Sequence, residues 1–231
     1  MVRYLLIILI SSTFFACDSS SGEASQTRTE GVSEEASEAS VEQEEMLTPK
    51  EYMLDAQKST ITWIGRKPTG EHRGTLKFLH GALALRPDGA YEGVVESDMN
   101  TIECTDIEDK DDNLDLVNHL KDKDFFNVTE FPTSSFQLMD FQDDKDEQSS
   151  GMVNGEMMIK GISEHFTIPV IKKVSGDSLM MTGTFIVDRT LYGIKYKSKS
   201  IFPELKDKFI DDNVELNFEA WFYEVKPEQS L

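Results

Sequence analysis

Cysteine is scarce in this 231-residue chain, which contains only Cys17 and Cys104. Two cysteines cannot build the dense disulfide framework of a small secreted scaffold. Basic residues are also few, because 23 Lys and Arg stand against 43 Asp and Glu, and the formal net charge is -20. Nucleic-acid binders need cations to neutralise phosphates, so the composition argues against that class. It also argues against docking of the folded body on an anionic bilayer by charge alone.

Recognisable catalytic and metal-binding motifs are absent as well. The four histidines, His72, His80, His119 and His165, are far apart and lack zinc-site spacing. No hydrolase nucleophile elbow, phosphate loop or dinucleotide fingerprint occurs. The acidic residues within 106–115 lack the glycine and terminal glutamate of a calcium loop. We therefore predict no catalytic residue set, no metal site and no cofactor, so the chain is expected not to be an enzyme.

No apolar run is long enough for a transmembrane helix. The apolar stretch at residues 4–10 is well short of the roughly 20 residues that span a bilayer. With Arg3 before it and Ala16-Cys17 after it, the stretch is typical of a bacterial lipoprotein signal over residues 1–16. We expect Cys17 to be the lipidated N-terminus of the mature protein, held in a membrane by its acyl chains. An ordinary signal peptide with an incidental cysteine is the alternative.

The residues after Cys17 form an acidic segment. Residues 18–46 contain nine acidic residues and one basic residue, with few large apolar side chains. Such a composition cannot bury enough surface to offset the entropy of ordering, so we predict a disordered linker over residues 17–48. The linker would hold the globular part off the membrane, in the cell envelope, facing the periplasm or the cell surface. Cys104 then has no partner and is expected to be a free or buried thiol.

Residues 49–226 are predicted to form one all-β domain, because their hydrophobic period is two. The clearest alternation is in residues 214–222, and several shorter stretches are separated by turns such as 87–89 and 175–177. Many short strands indicate an antiparallel sandwich or barrel. One stretch differs: Leu116, Val117 and Leu120 share a helical face. This predicts a short helix over 112–121, capped by Asp112 or Asn113 and packed at one end of the sheet.

A basic cluster stands out near residue 190. Lys195, Lys197 and Lys199 alternate along the chain, so they share one face if the segment is an extended strand. Together with Arg189 they are candidates to bind the headgroup of a ligand at a pocket mouth. The alternative is an exposed strand face that lysines keep soluble.

Several motifs, in the same order along the chain, resemble the YceI-like family over residues 52–224. They are Trp63-Ile64-Gly65-Arg66-Lys67-Pro68 with Gly74 and Gly81; Asp98-Met99-Asn100-Thr101-Ile102; His119-Leu120 to Asp124-Phe125-Phe126; Phe131-Pro132 to Phe136; Gly155 to Ile159 with Gly161-Ile162-Ser163; and Phe185 to Arg189 with Tyr192-Gly193. Thr101 and Phe131 stand where the family usually has Ser and Tyr. Lys197 and Lys199 stand where close relatives have a Gly-x-Gly run, which makes this edge more basic and less pliable.

The resemblance implies an eight-stranded antiparallel, lipocalin-like barrel whose cavity holds an amphiphile such as a polyisoprenoid, a quinone or a fatty acid. A barrel of eight strands is wide enough for packed side chains or one slender ligand. The apolar residues that we expect to face such a cavity are Ile61, Trp63, Phe136, Leu138, Phe166, Ile168, Phe185, Val187, Leu216, Phe218 and Phe222.

Three functional hypotheses follow. The first is a membrane-anchored binding protein that sequesters or carries a lipid, with the lipid and the membrane as its partners. The second is an extracytoplasmic enzyme acting on a lipid, which would depend on residues such as His72, Glu96 or Asp98. The third is a structural or interaction lipoprotein whose barrel is filled by its own side chains. The sequence does not set the oligomeric state.

Overall fold

The computed structural model describes residues 50–141 and 148–226. The described residues form β1 (Lys50–Leu54), β2 (Thr60–Lys67), β3 (Gly70–Leu85), β4 (Tyr91–Cys104), α1 (Lys110–Lys121), β5 (Thr133–Asp140), β6 (Gln148–Ile159), β7 (Ile162–Ser175), β8 (Ser178–Asp188) and β9 (Asn213–Glu224). Two 3-10 turns, Arg189–Tyr192 and Pro203–Lys208, lie between β8 and β9. The predictions for residues 1–48, including Cys17 and the linker, lie outside the described residues.

The strands close into a barrel. Neighbours pair antiparallel in the order β3-β2-β9-β8-β7-β6-β5-β4, and β4 pairs back with β3. The short β1 pairs with the second halves of β3 and β9, whereas β2 pairs with their first halves. β1 and β2 therefore occupy one position in the wall, with a break between them. The predicted eight-stranded antiparallel barrel with one short helix is confirmed, with one extra strand.

One end of the barrel is sealed by aromatic and aliphatic side chains. The rings of Tyr52 and Tyr91 lie 6.3 Å apart, and Tyr91 lies 6.1 Å from Phe141. Leu179 and Phe222 are also fully or almost fully buried there. Burial of this apolar surface stabilises the fold and packs this end of the barrel with side chains.

Helix α1 lies near the opposite end. It packs on β4, and its Leu120 contacts a small cluster built on Met99, Ile102 and Val128. The helix begins earlier than predicted, because Asp109 is its N-cap and accepts hydrogen bonds from the N–H groups of residues 111 and 112. The prediction that Asp112 or Asn113 caps it is wrong. Several neighbouring residues have side chains that can cap a helix, and the sequence alone does not show which of them has the backbone conformation of an N-cap.

The lysine row is not a strand, which corrects the sequence prediction. After β8 the chain makes a 3-10 turn, and Gly193 and Lys197 both have left-handed backbone angles, with φ of 72° and 47°. Left-handed angles break a regular extended ladder and favour glycine. The glycine that the family resemblance places at position 197 fits this angle. Lys195, Lys197 and Lys199 are exposed and alternate with the less exposed Tyr196 and Ser198, but they lie on an irregular loop.

Among the described residues, no helix has both the length and the apolar composition needed to cross a membrane.

Candidate binding cavity

An elongated cavity of about 370 Å³ runs through the barrel interior. All eight barrel strands β2–β9 contribute to its wall, together with Leu116 and Leu120 of α1 and the following Phe125 and Phe126. Nearly all of these side chains are apolar. A volume of this size and lining is typical of small-ligand sites.

Ten of the eleven apolar side chains that the sequence suggested for the cavity lie in its wall. They are Ile61, Trp63, Phe136, Leu138, Ile168, Phe185, Val187, Leu216, Phe218 and Phe222. The eleventh, Phe166, is not part of the wall, although it is on the same face of β7 as Ile168, and its ring lies 5.5 Å from that of Phe185. The period-two pattern thus put the correct face of these strands inward. Their contact with a ligand stays a prediction.

The interior is not filled by side chains. Ile61, Leu216 and Phe218 face inward, yet they are only partly buried. Inward side chains of a close-packed core lose almost all of their accessible surface. The remaining accessible surface of these three residues therefore borders the open cavity.

The charged residues of the wall all lie at the end opposite the aromatic seal. Arg66 and Lys67 end β2, His72 lies at the start of β3, Arg189 follows β8, and Asp211 precedes β9. The cavity is therefore apolar along its length and polar at one end. We call this end, defined by these five residues, the polar end.

His72 is the centre of a hydrogen-bonded chain at the polar end. Its Nδ1 lies 3.1 Å from a carboxylate oxygen of Asp106, and Lys67 Nζ lies 3.3 Å from its Nε2. The lysine ammonium can only donate, so the ring accepts at Nε2 and donates from Nδ1 to Asp106. The Cys104 thiol also donates to Asp106, at 3.2 Å.

Asp106 is held in its charged form by these donors. Burial opposes ionisation, but hydrogen bonds from the Arg73 N–H, the Cys104 thiol and His72 outweigh it and lower the pKa of the Asp106 carboxyl. Burial raises the pKa of Cys104, which is a free, buried thiol as predicted. A protonated thiol that donates to a carboxylate is a poor nucleophile.

Two of the cations at the polar end are already engaged by the protein. Arg66 forms ion pairs with Glu71 and Glu215, at 3.3 and 2.9 Å. Arg189 is buried and donates to the backbone carbonyls of residues 194, 210 and 211 at 2.8–3.0 Å, and it also lies 3.4 Å from Asp212. Burial lowers the pKa of Arg189, and the nearby carboxylates oppose this shift. Lys67, by contrast, forms no ion pair with a carboxylate among the described residues.

The suggested headgroup residues are therefore divided. Arg189 lines the cavity, whereas Lys195, Lys197 and Lys199 are exposed and are not part of its wall. Sequence reasoning missed Arg66 and Lys67 as wall residues. The signal that could have found them is their position in the β2–β3 hairpin, close in the chain to His72.

The residues suggested for catalysis are not brought together. His72 lines the cavity, but Glu96 and Asp98 are not part of its wall, although Val95, Ser97 and Met99 on the same strand are. Glu96 lies 3.8 Å from His80, and Asp98 accepts hydrogen bonds from Asn100. Their carboxylates are thus occupied outside the cavity.

Two wall residues carry buried polar atoms that lack a hydrogen-bond partner within the described residues. They are the indole N–H of Trp63 and the hydroxyl of Tyr192. Burial raises the pKa of Tyr192 to about 12, so its hydroxyl stays protonated. An unpaired buried donor costs roughly 1–3 kcal/mol unless a ligand or a water supplies an acceptor.

In the part of the chain that the structure describes, no group of three or more His, Cys, Asp or Glu side chains is arranged to hold a metal ion.

Solved structures with the same fold include two with good coverage. Burkholderia cenocepacia BcnA has a TM-score of 0.57 and 19% identity, with 73% of this chain and 98% of that chain covered. A polyisoprenoid binding domain from Saccharophagus degradans, described as implicated in plant cell wall breakdown, has a TM-score of 0.56 and 14% identity, with 75% and 98% covered. No sequence among the curated proteins matches the chain.

The sequence profile of the YceI-like domain matches residues 52–222, which is most of the chain. The match includes β2–β8 and helix α1 completely, together with most of β1 and β9. It confirms the resemblance that the strand motifs indicated. The chain belongs to the YceI-like family.

Proposed function

We propose that the chain is a lipid-binding protein of the cell envelope that sequesters or carries one amphiphilic molecule, such as a polyisoprenoid, a quinone or a fatty acid. The observation that carries the proposal is the unfilled apolar cavity of about 370 Å³. Similarity to a polyisoprenoid binding domain supports the same ligand class. We further propose that Cys17 anchors the protein in a membrane through attached acyl chains.

The cavity favours a hydrocarbon chain over water. Its volume equals that of about a dozen water molecules in the liquid. Water in an almost wholly apolar space lacks hydrogen-bond partners, whereas a lipid chain gains about 0.8 kcal/mol for each buried methylene. The seal at one end and the charges at the other suggest that the chain lies inside with its polar group near Lys67 and His72.

Transfer to or from a bilayer would be nearly balanced, because a membrane shelters the same hydrocarbon chain. This balance suits a carrier or a buffer of lipid. A tether at Cys17 would raise the local concentration of the barrel near the membrane.

A binding role agrees better with the cavity than a catalytic role does. Among the described residues of the wall, His72 is the one histidine. It is paired with Asp106 and Lys67, and the Cys104 thiol donates to the same Asp106 carboxylate. This arrangement gives the histidine no adjacent nucleophile to activate. A barrel filled by its own side chains is also disfavoured, because Leu216 and Phe218 keep accessible surface inside the barrel.

The two tryptophans provide a direct test of binding inside the barrel. Trp63 lines the cavity, whereas Trp221 is outside the wall with Lys58 3.4 Å above its ring. Bromine atoms on an acyl chain quench tryptophan fluorescence by contact. Brominated palmitate should therefore quench the Trp221→Phe variant, which retains only Trp63.

The matched control is Trp63→Phe, which retains only Trp221 and should show no quenching by the same lipid. Equal quenching of both variants would mean adsorption on the outer surface. Absence of quenching in both, with brominated isoprenoids as well as palmitate, would contradict the proposed function.

A further inference from the structure

The segment between the first 3-10 turn and β9, which includes the second 3-10 turn, has a charge opposite to that of the rest of the chain. Residues 193–210, which we call the basic loop, contain five lysines and two acidic residues. The whole chain has 20 more acidic than basic residues. The cations are therefore concentrated in one short segment, which whole-chain composition conceals.

The lysines of the basic loop are exposed and free of carboxylate partners. They are Lys195, Lys197, Lys199, Lys206 and Lys208. None of them forms an ion pair with another described residue. The ammonium groups of Lys197 and Lys199 lie over the rings of Tyr196 and Phe209, at 5.2 and 4.8 Å. Their charges are therefore available to an external anion.

Large apolar side chains are exposed beside these lysines. Ile201 and Phe202 in the loop are each 38% exposed, and Leu191 in the preceding turn is 51% exposed. Lysines interleaved with exposed apolar residues are typical of surfaces that bind at the interface of an anionic bilayer.

The basic loop is part of the polar end of the barrel. Ile194 and Ile210, at its two ends, line the cavity. The Ile210 N–H donates to the Lys197 carbonyl at 2.8 Å, which fixes the lysine-bearing backbone directly behind the cavity wall. The ring of Tyr196 packs 4.6 Å from that of His119 in α1.

The acidic residues of α1 do not cancel this charge at the point of contact. Its exposed acids Asp111 and Asp112 lie in the first turn and Asp115 lies in the second, whereas His119, which touches the loop, lies in the last. The acids of the first turn are about 12 Å from His119 along the helix axis, more than a Debye length at physiological salt. Asp115 is only one turn from His119, but its single negative charge is less than the excess of five lysines over two acidic residues in the loop.

We propose that the basic loop is a docking surface for an anionic lipid bilayer. It would hold the polar end of the barrel against the headgroups while the acidic body stays in solution. The exposed apolar side chains of the loop would enter the headgroup region. Docking of this kind needs no ligand in the cavity, so it is a separate property from lipid binding.

The test compares two triple variants that change the net charge equally. One is Lys195→Gln, Lys197→Gln and Lys199→Gln. The control is Lys50→Gln, Lys173→Gln and Lys226→Gln, whose lysines lie towards the sealed end of the barrel. All proteins, including the parent with its lysines intact, begin at residue 17 and carry Cys17→Ser, so that neither the apolar stretch at residues 4–10 nor an attached acyl chain contributes. Co-sedimentation is measured with phosphatidylcholine vesicles with and without phosphatidylglycerol.

The parent chain should bind only the anionic vesicles, and less at high salt. The basic-loop variant should bind them on the order of 100-fold more weakly, since each of the three lysines near the surface contributes about fivefold. The control should bind as the parent does. Equal loss in the two variants, binding that is independent of phosphatidylglycerol, or no binding by the parent would overturn the proposal. If the parent ignores vesicles but an acidic protein protects these lysines from acetylation, the surface is a protein contact.

Discussion

Arg189 connects the loop after β8 to the segment before β9 through hydrogen bonds. Its guanidinium donates to three backbone carbonyls, of residues 194, 210 and 211, and only 4% of the residue is exposed. We expect Arg189→Met to lower the free energy of unfolding by about 3 kcal/mol, because three acceptors and the Asp212 carboxylate lose their partner. Denaturant unfolding measures this change.

The neighbouring Lys195→Met is the control for Arg189. This lysine is exposed and its removal should change stability by less than about 0.5 kcal/mol. Arg189→Lys should fall between the two, because an ammonium keeps the charge but cannot span all three carbonyls. Equal stability of Arg189→Met and the parent would contradict the structural role.

Asp106 should make stability depend on pH in the acid range. Its pKa is lowered in the folded chain, so its charged form contributes stability above the unfolded value near 4, and this contribution is lost as the pH falls through the lowered pKa. Asp106→Asn should cost about 1–2 kcal/mol at neutral pH, where a charged acceptor of several hydrogen bonds is lost. In urea unfolding, the difference in the free energy of unfolding between Asp106→Asn and the parent should become smaller below about pH 4. A difference that stays constant down to pH 2 would contradict this account.

At the scale of secondary structure, α1 is the element that covers the polar end of the cavity. Leu116 and Leu120 line the cavity from one face of the helix. The helix buries none of its residues fully, so its stability depends on its cap and on this single contact face. An element of low local stability beside a cavity is a candidate for the path by which a ligand enters.

Removal of the cap tests this role of α1. Asp109→Ala should destabilise the helix by about 1 kcal/mol, because the N–H groups of residues 111 and 112 lose their acceptor. Amide exchange in residues 110–121 and the dissociation rate of a bound lipid should both rise. Asp111→Ala, which leaves the cap in place, is the matched control. Faster amide exchange with an unchanged dissociation rate would show that the ligand leaves by another route.

The sequence predicts secondary structure correctly where a strand buries a regular apolar face. The alternation in β9 and β8 put Leu216 and Phe185 on the inner face from sequence alone. The row from Lys195 to Lys199 alternates equally well, but a left-handed Lys197 breaks the extended backbone there. Alternation reports which side chains face solvent, and it does not by itself distinguish a hydrogen-bonded strand from an irregular loop.

On the scale of the whole molecule, the polar end was beyond sequence reasoning. His72 and Asp106 are 34 residues apart, and only the closure of the barrel brings them to 3.1 Å. The same holds for the basic loop, whose relation to the cavity depends on the hydrogen bond between Lys197 and Ile210. Local pattern predicts which residues face inward, whereas strand pairing between distant segments decides which charges meet.

The barrel as a whole is an apolar tube that is sealed at one end and polar at the other. Acidic residues dominate the composition, yet the wall of the cavity carries charge only at the polar end. The net charge therefore describes the outer surface of the barrel and the acidic sequence of residues 18–46. The proposed function depends on the apolar cavity inside the barrel and not on the net charge.

The most direct test of that function is the lipid content of the protein purified from its own host without detergent. Native mass spectrometry should show one long-chain amphiphile bound per chain, which solvent extraction identifies. Leu216→Trp, which fills the middle of the cavity, should carry none and remain folded, whereas Glu219→Trp on the outer face of the same strand should carry it as the parent does. Empty parent protein, or equal lipid content in all three proteins, would contradict a lipid-binding cavity.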